Sequence, residues 1–223
     1  MSLYALIYNN EIKVGPRTWH YGFFNNFLTS NNLDNSNLPL TDPNSEVIGN
    51  NWSILPVLID TAPSYQSPFQ QLAGPFLTIN ANNVTGYYTV ANCAVDFIQN
   101  TLKNKVTENR YIVETMGCSY TFPDGNTVSL LTDRTNRNMY LQAAQLIPDS
   151  NTQILFKFPN NYFRLVTKAD MANVSNAVAY WVQDAFNWES NTYIQIESST
   201  TIDALMNINT VNPNQPNNTI RMV

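Results

Sequence analysis

The sequence predicts an α+β fold, in which an irregular β-rich N-terminal region precedes a domain of helix, hairpin, helix, hairpin and long helix. Three observations support this fold class. Residues 1–91 contain β-favouring runs that prolines and turn residues interrupt. Residues 92–208 contain three stretches in which apolar residues recur every three or four positions, as in amphipathic helices. Between these stretches lie two pairs of short β-favouring runs, each joined by a turn sequence.

The chain opens with a predicted β-hairpin. Residues 2–8 and 11–14 are rich in β-favouring side chains, and Asn9 and Asn10 stand between them. Asn tolerates the left-handed backbone conformation that a two-residue hairpin turn requires. The pair therefore predicts a tight turn at this point.

The rest of the N-terminal region shows little periodicity. Residues 29–53 are rich in Asn, Ser, Pro and Asp, which predicts a loop or an extended arm. Strand-like runs follow at residues 54–60 and 74–90, but four prolines lie within or between them. We therefore expect residues 1–91 to form an irregular docking region that neighbouring molecules keep ordered.

The first helix of the second domain is predicted to begin at Ala94 and to end at Gly117, since glycine favours a helix C-terminus. A hairpin follows, with strands at residues 119–122 and 127–131 and an Asp-Gly turn between them. The apolar stripe of the helix consists of Val95, Ile98, Leu102 and Val106, and it continues at Asn109 or Val113.

The second helix is predicted to begin at Thr132 or Asp133 and to end before Pro148. Either polar residue can accept hydrogen bonds from the free amides of the first turn. The second hairpin then has strands at residues 152–158 and 162–166, joined by a Pro-Asn-Asn turn.

The third helix is predicted to be the longest. Thr167 and Asp170 match a capping box, and one apolar face continues from there towards Ile196. A helix of roughly 30 residues is long for a globular domain. We expect it to span the whole domain or to pack against a copy of itself, and we expect the Asn- and Pro-rich residues 209–223 to form a tail.

Composition excludes several classes of partner. The net charge is −5, and the 11 Lys and Arg residues form no basic run, so binding to nucleic acid is not expected. No apolar stretch approaches the ~18 residues of a membrane span, so membrane insertion is not expected either. Cys93 and Cys118 flank the first helix, whose length would hold them too far apart for a disulfide.

The sequence offers little support for catalysis. His20 is the one histidine, which excludes multi-histidine metal sites and limits catalytic triads. Glycine-rich phosphate loops and the GxSxG motif are absent. Asp184 and Glu189 lie five positions apart on a helix, a poor spacing for paired catalytic carboxylates. We therefore expect no enzyme activity, no cofactor and no metal.

Aromatic clusters are the candidate contact sites. Tyr and Trp enrich protein interfaces, and their rings can also stack on sugars. We consider packing within the core or between subunits the better interpretation. The candidate N-terminal contact residues are Trp19, Phe23 and Phe24, and the candidate residues on the long helix are Tyr180, Trp181, Phe186 and Trp188.

The C-terminal half resembles an uncharacterised domain family that is encoded in tail-fibre and baseplate loci of bacteriophages. Its members share a "TD-R" helix start, a "wk…f..L" hairpin, and a long helix ending near "VQ-aF--E". The opening hairpin, with Gly15, Pro16, Arg17 and Trp19, is also similar to some phage chains that carry this domain. The matching segments are residues 131–144, 156–158, 162–170 and 177–189.

This resemblance implies a location and no chemistry. We expect a structural protein of the phage tail, an adaptor at the baseplate or a fibre that acts by protein–protein contacts and forms a homo-oligomer. It would reside in the virion tail, and in the host cytoplasm during assembly. The first alternative is a tail-fibre assembly chaperone. The second is a carbohydrate-binding protein that recognises a receptor.

Overall fold

The computed structural model describes residues 2–32, 35–36, 38, 46–49 and 52–215. The chain divides into two compact units, Met1–Cys93 and Ala94–Val223. The first is a curled β-sheet with one helix, and the second consists of helices and two hairpins. The predicted α+β fold class is confirmed.

The first unit is built on one sheet. The elements are β1 (Leu3–Tyr8), β2 (Glu11–Thr18), α1 (Tyr21–Ser30), β3 (Glu46–Gly49), β4 (Trp52–Ile59), β5 (Gln70–Ile79) and β6 (Val84–Asn92). The strand order is β2-β1-β4-β6-β5, with β3 paired to β4. The pair β4 and β6 is parallel, and the other pairs are antiparallel.

Both faces of the central strands are buried. Along β1, Leu6 points to a cluster that α1 covers with Phe24 and Leu28. The alternate residue Ile7 points to the opposite cluster, since successive side chains of a strand face opposite sides. That second cluster contains only residues of the strands, so the sheet closes over it by curling.

The predicted β-rich character of residues 1–91 is confirmed. Their runs pair across non-adjacent segments into one continuous sheet, which is more regular than the sequence indicates. The predicted arm at residues 29–53 begins inside α1 and ends inside β4, and it also contains β3. Its remaining part lies mostly outside the described residues.

Asparagine takes the role of glycine in the turns. Every non-glycine residue with a positive φ among the described residues is an asparagine. Asn9 and Asn10, with φ of 49° and 60°, form the two-residue turn between β1 and β2, as the sequence predicts. Asn160 and Asn161 occupy the turn of the second hairpin with φ of 60° and 58°. Some of the asparagines are therefore explained by the left-handed turn conformations that they adopt.

The second unit follows the predicted order of helix, hairpin, helix, hairpin and long helix. The elements are α2 (Val95–Thr115), β7 (Cys118–Thr121), β8 (Thr127–Leu130), α3 (Arg134–Leu146), β9 (Ile154–Phe158), β10 (Tyr162–Val166), α4 (Lys168–Ser198) and α5 (Ile202–Met206). Asp133 caps α3, and the predicted capping box of Thr167 and Asp170 opens α4. Both cysteines are free.

The core of this unit joins both hairpins to α3 and to the first half of α4. Tyr140 of α3 is fully buried there, and its hydroxyl accepts a hydrogen bond from the Leu131 amide at 3.1 Å. Phe122 and Phe158, one from each hairpin, meet edge to face with ring centroids 5.8 Å apart. These aromatic contacts fix the two hairpins side by side under the helices.

The first part of the predicted tail packs on α2. Thr210 and Asn212 are buried, and the Asn109 side chain of α2 donates a hydrogen bond to the Thr210 carbonyl at 2.7 Å. Residues 209–215 therefore belong to the second unit. Residues 216–223 lie outside the described residues.

The asparagine turn makes a stability prediction. Asn10→Ala should lower the free energy of unfolding by about 1 kcal/mol, because Ala is strained at a φ of 60°. Asn10→Gly should not lower it, because Gly adopts this conformation freely. Urea unfolding followed by circular dichroism measures both. The control is Asn82→Ala, at an exposed position with no positive φ, which should change little. Equal effects of Asn10→Ala and Asn82→Ala would contradict the assignment.

Candidate functional site

Helices α2 and α4 enclose a cluster of charged side chains. Arg110 on α2 forms ion pairs with Glu114 and with Glu189 on α4, whose Oε2 lies 3.3 Å from the Arg110 Nε. Arg137 on α3 reaches the other oxygen of Glu114 at 2.9 Å. The side chains of Arg110, Glu114 and Glu189 are at most 15% exposed, so salt screens these pairs little.

A polar seam extends this cluster along the two helices. Glu189 accepts a hydrogen bond from the Thr107 hydroxyl at 2.8 Å, and Thr107 lies 2.5 Å from the Tyr193 hydroxyl. That hydroxyl also lies 3.2 Å from the Lys103 carbonyl, to which it can donate. The Lys103 ammonium pairs with Glu197 at 2.7 Å. Both glutamates of α4 are thus bound to partners on α2.

The arrangement is a structural clamp. Two guanidinium groups face two carboxylates, and three of the four carboxylate oxygens accept hydrogen bonds from Arg or Thr side chains. The fourth, Oε2 of Glu189, is held by its ion pair with Arg110. The Arg110 guanidinium also lies 4.7 Å from the centre of the Phe186 ring. Buried charges that are paired in this way hold elements in register, while loss of one partner leaves a charge unpaired. We call Arg110, Glu114, Arg137 and Glu189 the ion clamp.

The start of α3 is tied to the same region. The Asp133 carboxylate accepts hydrogen bonds from the amides of Thr135 and Asn136 at 3.0 and 3.2 Å. A further hydrogen bond from the Asn136 side chain is the largest cause that lowers the pKa of Asp133. The preceding Thr132 is buried and accepts a hydrogen bond from the Gly117 amide at 3.0 Å. The polar stretch at residues 132–138 therefore caps and anchors a helix.

The two hairpins differ in what they present outwards. On β7 and β8, the outer face carries hydroxyl residues, with Ser119 directly opposite Ser129. On β9 and β10, the equivalent pair is Leu155 opposite Leu165, 65% and 56% exposed, with Phe163 beside them at 54%. The outer face of the second hairpin is thus largely apolar although it is open to solvent; its one charged residue, Lys157, lies directly opposite Phe163, with its ammonium 5.6 Å from the centre of that ring. We call Leu155, Phe163 and Leu165 the hairpin patch.

The N-terminal contact candidates, Trp19, Phe23 and Phe24, pack against one another within the first unit. Phe24 is fully buried and stacks on Trp19 with ring centroids 4.8 Å apart. Phe23 packs edge to face on Phe24 and lies 3.4 Å under the guanidinium of Arg17. Burial removes Phe24 from any contact surface of this unit. Trp19 and Phe23 are half-buried, and their role in an interface stays a prediction.

The candidates on α4 also differ in how far they are open to solvent. Tyr180 and Phe186 are exposed. Trp181 is half-buried, and its indole N–H donates to the Val113 carbonyl of α2 at 2.8 Å, so it helps to join the helices. Trp188 lines an open groove together with the apolar Val211 and Pro213 and with the polar residues Asp184, Asn191, Gln195, Asn209 and Asn214.

The described part of the chain contains neither a metal-binding group of side chains nor a helix that could cross a membrane. Its His, Cys, Asp and Glu residues form no group of three or more that could hold a metal ion. None of the helices described there is long and apolar enough to cross a membrane.

The ion clamp is the feature that sequence reasoning missed. Arg110 and Glu114 are spaced four apart on one helix, which is a local signal for an ion pair. Glu189 appeared in the sequence only as a poor partner for Asp184. Its pairing with Arg110 joins residues 79 positions apart along the chain, as 189 − 110 gives, and no local pattern reports it.

One comparison with known proteins gives a match. The model of a family described as a domain of unknown function, DUF4376, matches residues 98–210, which is about half of the chain. No curated protein and no solved structure matches the chain. The matched residues include all but the first turn of α2, the whole of α3 and α4 and both hairpins, and hence the whole ion clamp.

The ion clamp predicts a large effect of removing one carboxylate. Glu114→Ala should lower the free energy of unfolding by about 3 kcal/mol, because Arg110 and Arg137 both lose their shared partner. Glu108→Ala, at an exposed position of the same helix, should change it by no more than about 0.5 kcal/mol. Urea unfolding followed by helical circular dichroism distinguishes them. A Glu114→Ala protein as stable as Glu108→Ala would refute the clamp.

A second prediction concerns the link between the hairpins. Hydrogen bonds from Arg164 and Asn126 lower the pKa of Asp124 from 3.8 to about 2. Because the pKa is lower in the folded protein, the pair stabilises the fold above about pH 4 and is lost as pH falls towards 2. In Arg164→Gln, a carbon NMR titration should show the Asp124 midpoint moving up towards 3.8.

Asp149 supplies the control in the same spectrum. Its pKa is lowered mainly by the amides of Asn151 and Thr152 in its own loop, so Arg164→Gln should leave its midpoint in place. An Asp124 midpoint that does not move, or an equal shift at both carboxylates, would rule out Arg164 as the cause.

Proposed function

Since the chain belongs to the DUF4376 family, whose function is unknown, we propose from its own geometry that it is a non-catalytic contact protein of a bacteriophage tail. In this proposal, the clamped helices and hairpins form a rigid platform. The platform presents the hairpin patch to another protein of the tail, either at the baseplate or on a fibre.

The contrast between the two hairpins is the observation that carries the proposal. Both are short antiparallel pairs that pack one face on the same core. The β7–β8 hairpin has the hydroxyl outer face that is normal for a solvated sheet. Leu155, Phe163 and Leu165 instead leave large apolar side chains in water, each of which would gain about 25 cal/mol per Å² when covered. A partner protein that covered this face would gain that free energy of burial.

The ion clamp supports a contact role rather than a chemical one. The buried carboxylates of Glu114 and Glu189 are engaged with arginines that hold the helices together.

The place in a phage tail is supported by the resemblance of residues 131–144, 156–158, 162–170 and 177–189 to chains from tail-fibre and baseplate loci. The same resemblance supports the host cytoplasm as the site of assembly.

The proposal predicts that the chain is present in mature particles and that the hairpin patch places it there. Leu155→Thr with Leu165→Thr should reduce the amount of the chain in purified particles, measured by quantitative mass spectrometry. Threonine keeps a high preference for strands and both leucines are exposed, so the fold should persist. The matched control is Ser119→Ala with Ser129→Ala, the directly opposed pair of the other hairpin, which should leave the amount unchanged.

Other outcomes would favour the alternatives. Absence of the wild-type chain from mature particles would reject the structural role. If the chain then co-purified with unassembled fibres, it would act as an assembly chaperone. If it instead bound a glycan array and lost that binding in Trp188→Ala, the groove beside Trp188 would be a carbohydrate site.

A further inference from the structure

The outward side of α4 carries no charge along its centre line. Asn176, Tyr180, Gln183, Asn187 and Ile194 follow one another at spacings of three, four or seven residues and are all exposed. With 3.6 residues per turn, such spacings place them on one face. That face lies opposite the buried residues Val178, Val182, Ala185 and Ile196. We call these five residues the outer stripe.

The charged residues of α4 are placed elsewhere on the helix. Glu189 and Glu197 turn towards α2, where they pair with Arg110 and Lys103. Asp184 stands at the edge of the outer stripe and is exposed. A solvated helix face usually carries charged pairs, which keep it soluble. The outer stripe instead offers two large apolar side chains, Tyr180 at 71% exposure and Ile194 at 61%, with amides between them.

The two apolar residues of the outer stripe are placed symmetrically about Asn187. Tyr180 lies seven residues before it and Ile194 seven residues after it, about 10.5 Å away on each side. In a contact between two identical copies related by a two-fold axis, residue i touches residue j and j touches i. Two antiparallel α4 helices centred on Asn187 therefore bring Tyr180 of each copy against Ile194 of the other. The two Asn187 side-chain amides meet on the axis, where each can donate to the other. Each Asn187 oxygen accepts a hydrogen bond from Gln183 of its own helix at 3.0 Å and keeps a second lone pair for this contact.

Charge favours this antiparallel pairing over a parallel one. A parallel pair would place Asp184 beside its own copy, and Glu197 likewise, and both are carboxylates. The antiparallel pair places Asp184, three residues before the centre, opposite Ser190, three residues after it. It also sets the helix dipoles in opposite directions. In a chain of net charge −5, a neutral stripe is where two copies can approach without like charges meeting.

We propose that the protein forms a homodimer in which the outer stripes of two α4 helices pack antiparallel with Asn187 at the centre. This surface differs from the hairpin patch, so the dimer and the docking role can fail independently. The dimer would give an adaptor two hairpin patches, one from each copy.

Cysteine cross-linking tests the geometry on the full chain. Under mild oxidation, Asn187→Cys should form a disulfide-linked dimer, because this position meets its own copy on the axis. Tyr180→Cys should not, because its two copies would lie about 21 Å apart. The double variant Tyr180→Cys with Ile194→Cys should cross-link. The wild type and Asn104→Cys, on the exposed side of α2, are the controls that should remain monomeric on a denaturing gel.

Cross-linking of Tyr180→Cys alone, as efficient as that of Asn187→Cys, would overturn the antiparallel arrangement. A wild-type chain that is monomeric by light scattering, with no cross-link at position 187, would overturn the dimer altogether.

A charge at the centre gives an independent test. Asn187→Lys should weaken dimerisation by at least about tenfold while helical circular dichroism is unchanged, and Asn104→Lys should not weaken it. Monomeric wild-type protein that still enters phage particles would reject this inference and leave the docking role intact.

Discussion

The second unit depends on Arg110, which lies between the carboxylates of Glu114 and Glu189 and so fixes α4 against α2. The buried apolar stripe of this 31-residue helix selects the face that packs inwards, but apolar contacts are not directional and define its exact rotation and register less sharply than paired charges do. The ion clamp removes the remaining freedom, because a rotation of α4 would leave a buried guanidinium without its partner. Arg137 extends the same constraint to α3. The direction in which Tyr180 and Ile194 point is therefore a consequence of charges on the opposite side of the helix.

Local signals were sufficient to predict most elements of the second unit. Asp133 and the pair of Thr167 and Asp170 mark helix starts because their side chains bind amides within three residues. Asn9 and Asn10 mark a hairpin for an equally local reason. The first unit depends on pairings between distant segments, such as β4 with β6, and its sheet was not foreseen. Helix α1 was missed too, because its cap is His20, an unusual residue for that position, whose Nδ1 accepts from the Phe23 amide at 3.2 Å.

The candidate site shows the same limit. Aromatic residues could be found in the sequence, but their exposure could not, because it depends on which neighbours the fold brings to them. Phe24 is enclosed by α1 and the sheet, and Trp181 is bound to Val113, whereas Tyr180 on the same helix is open to solvent. The hairpin patch became visible only through the strand register, which places Leu155 opposite Leu165 on the outer face. Pairing partners and facing directions are properties of the tertiary structure.

These features give one physical account. The charged side chains of the ion clamp hold α2, α3 and α4 together, and the apolar side chains of the hairpin patch and the outer stripe point outwards, where a partner can contact them. Hydroxyl-radical footprinting tests this account most directly, because oxidation rates report the exposure of single side chains. The rates at Phe163, Leu165 and Tyr180 should be high in the dilute chain and fall in assembled particles. Tyr111, which is exposed on α2 and has no assigned contact, should keep its rate. Equal rates at the first three residues in both states would contradict the account.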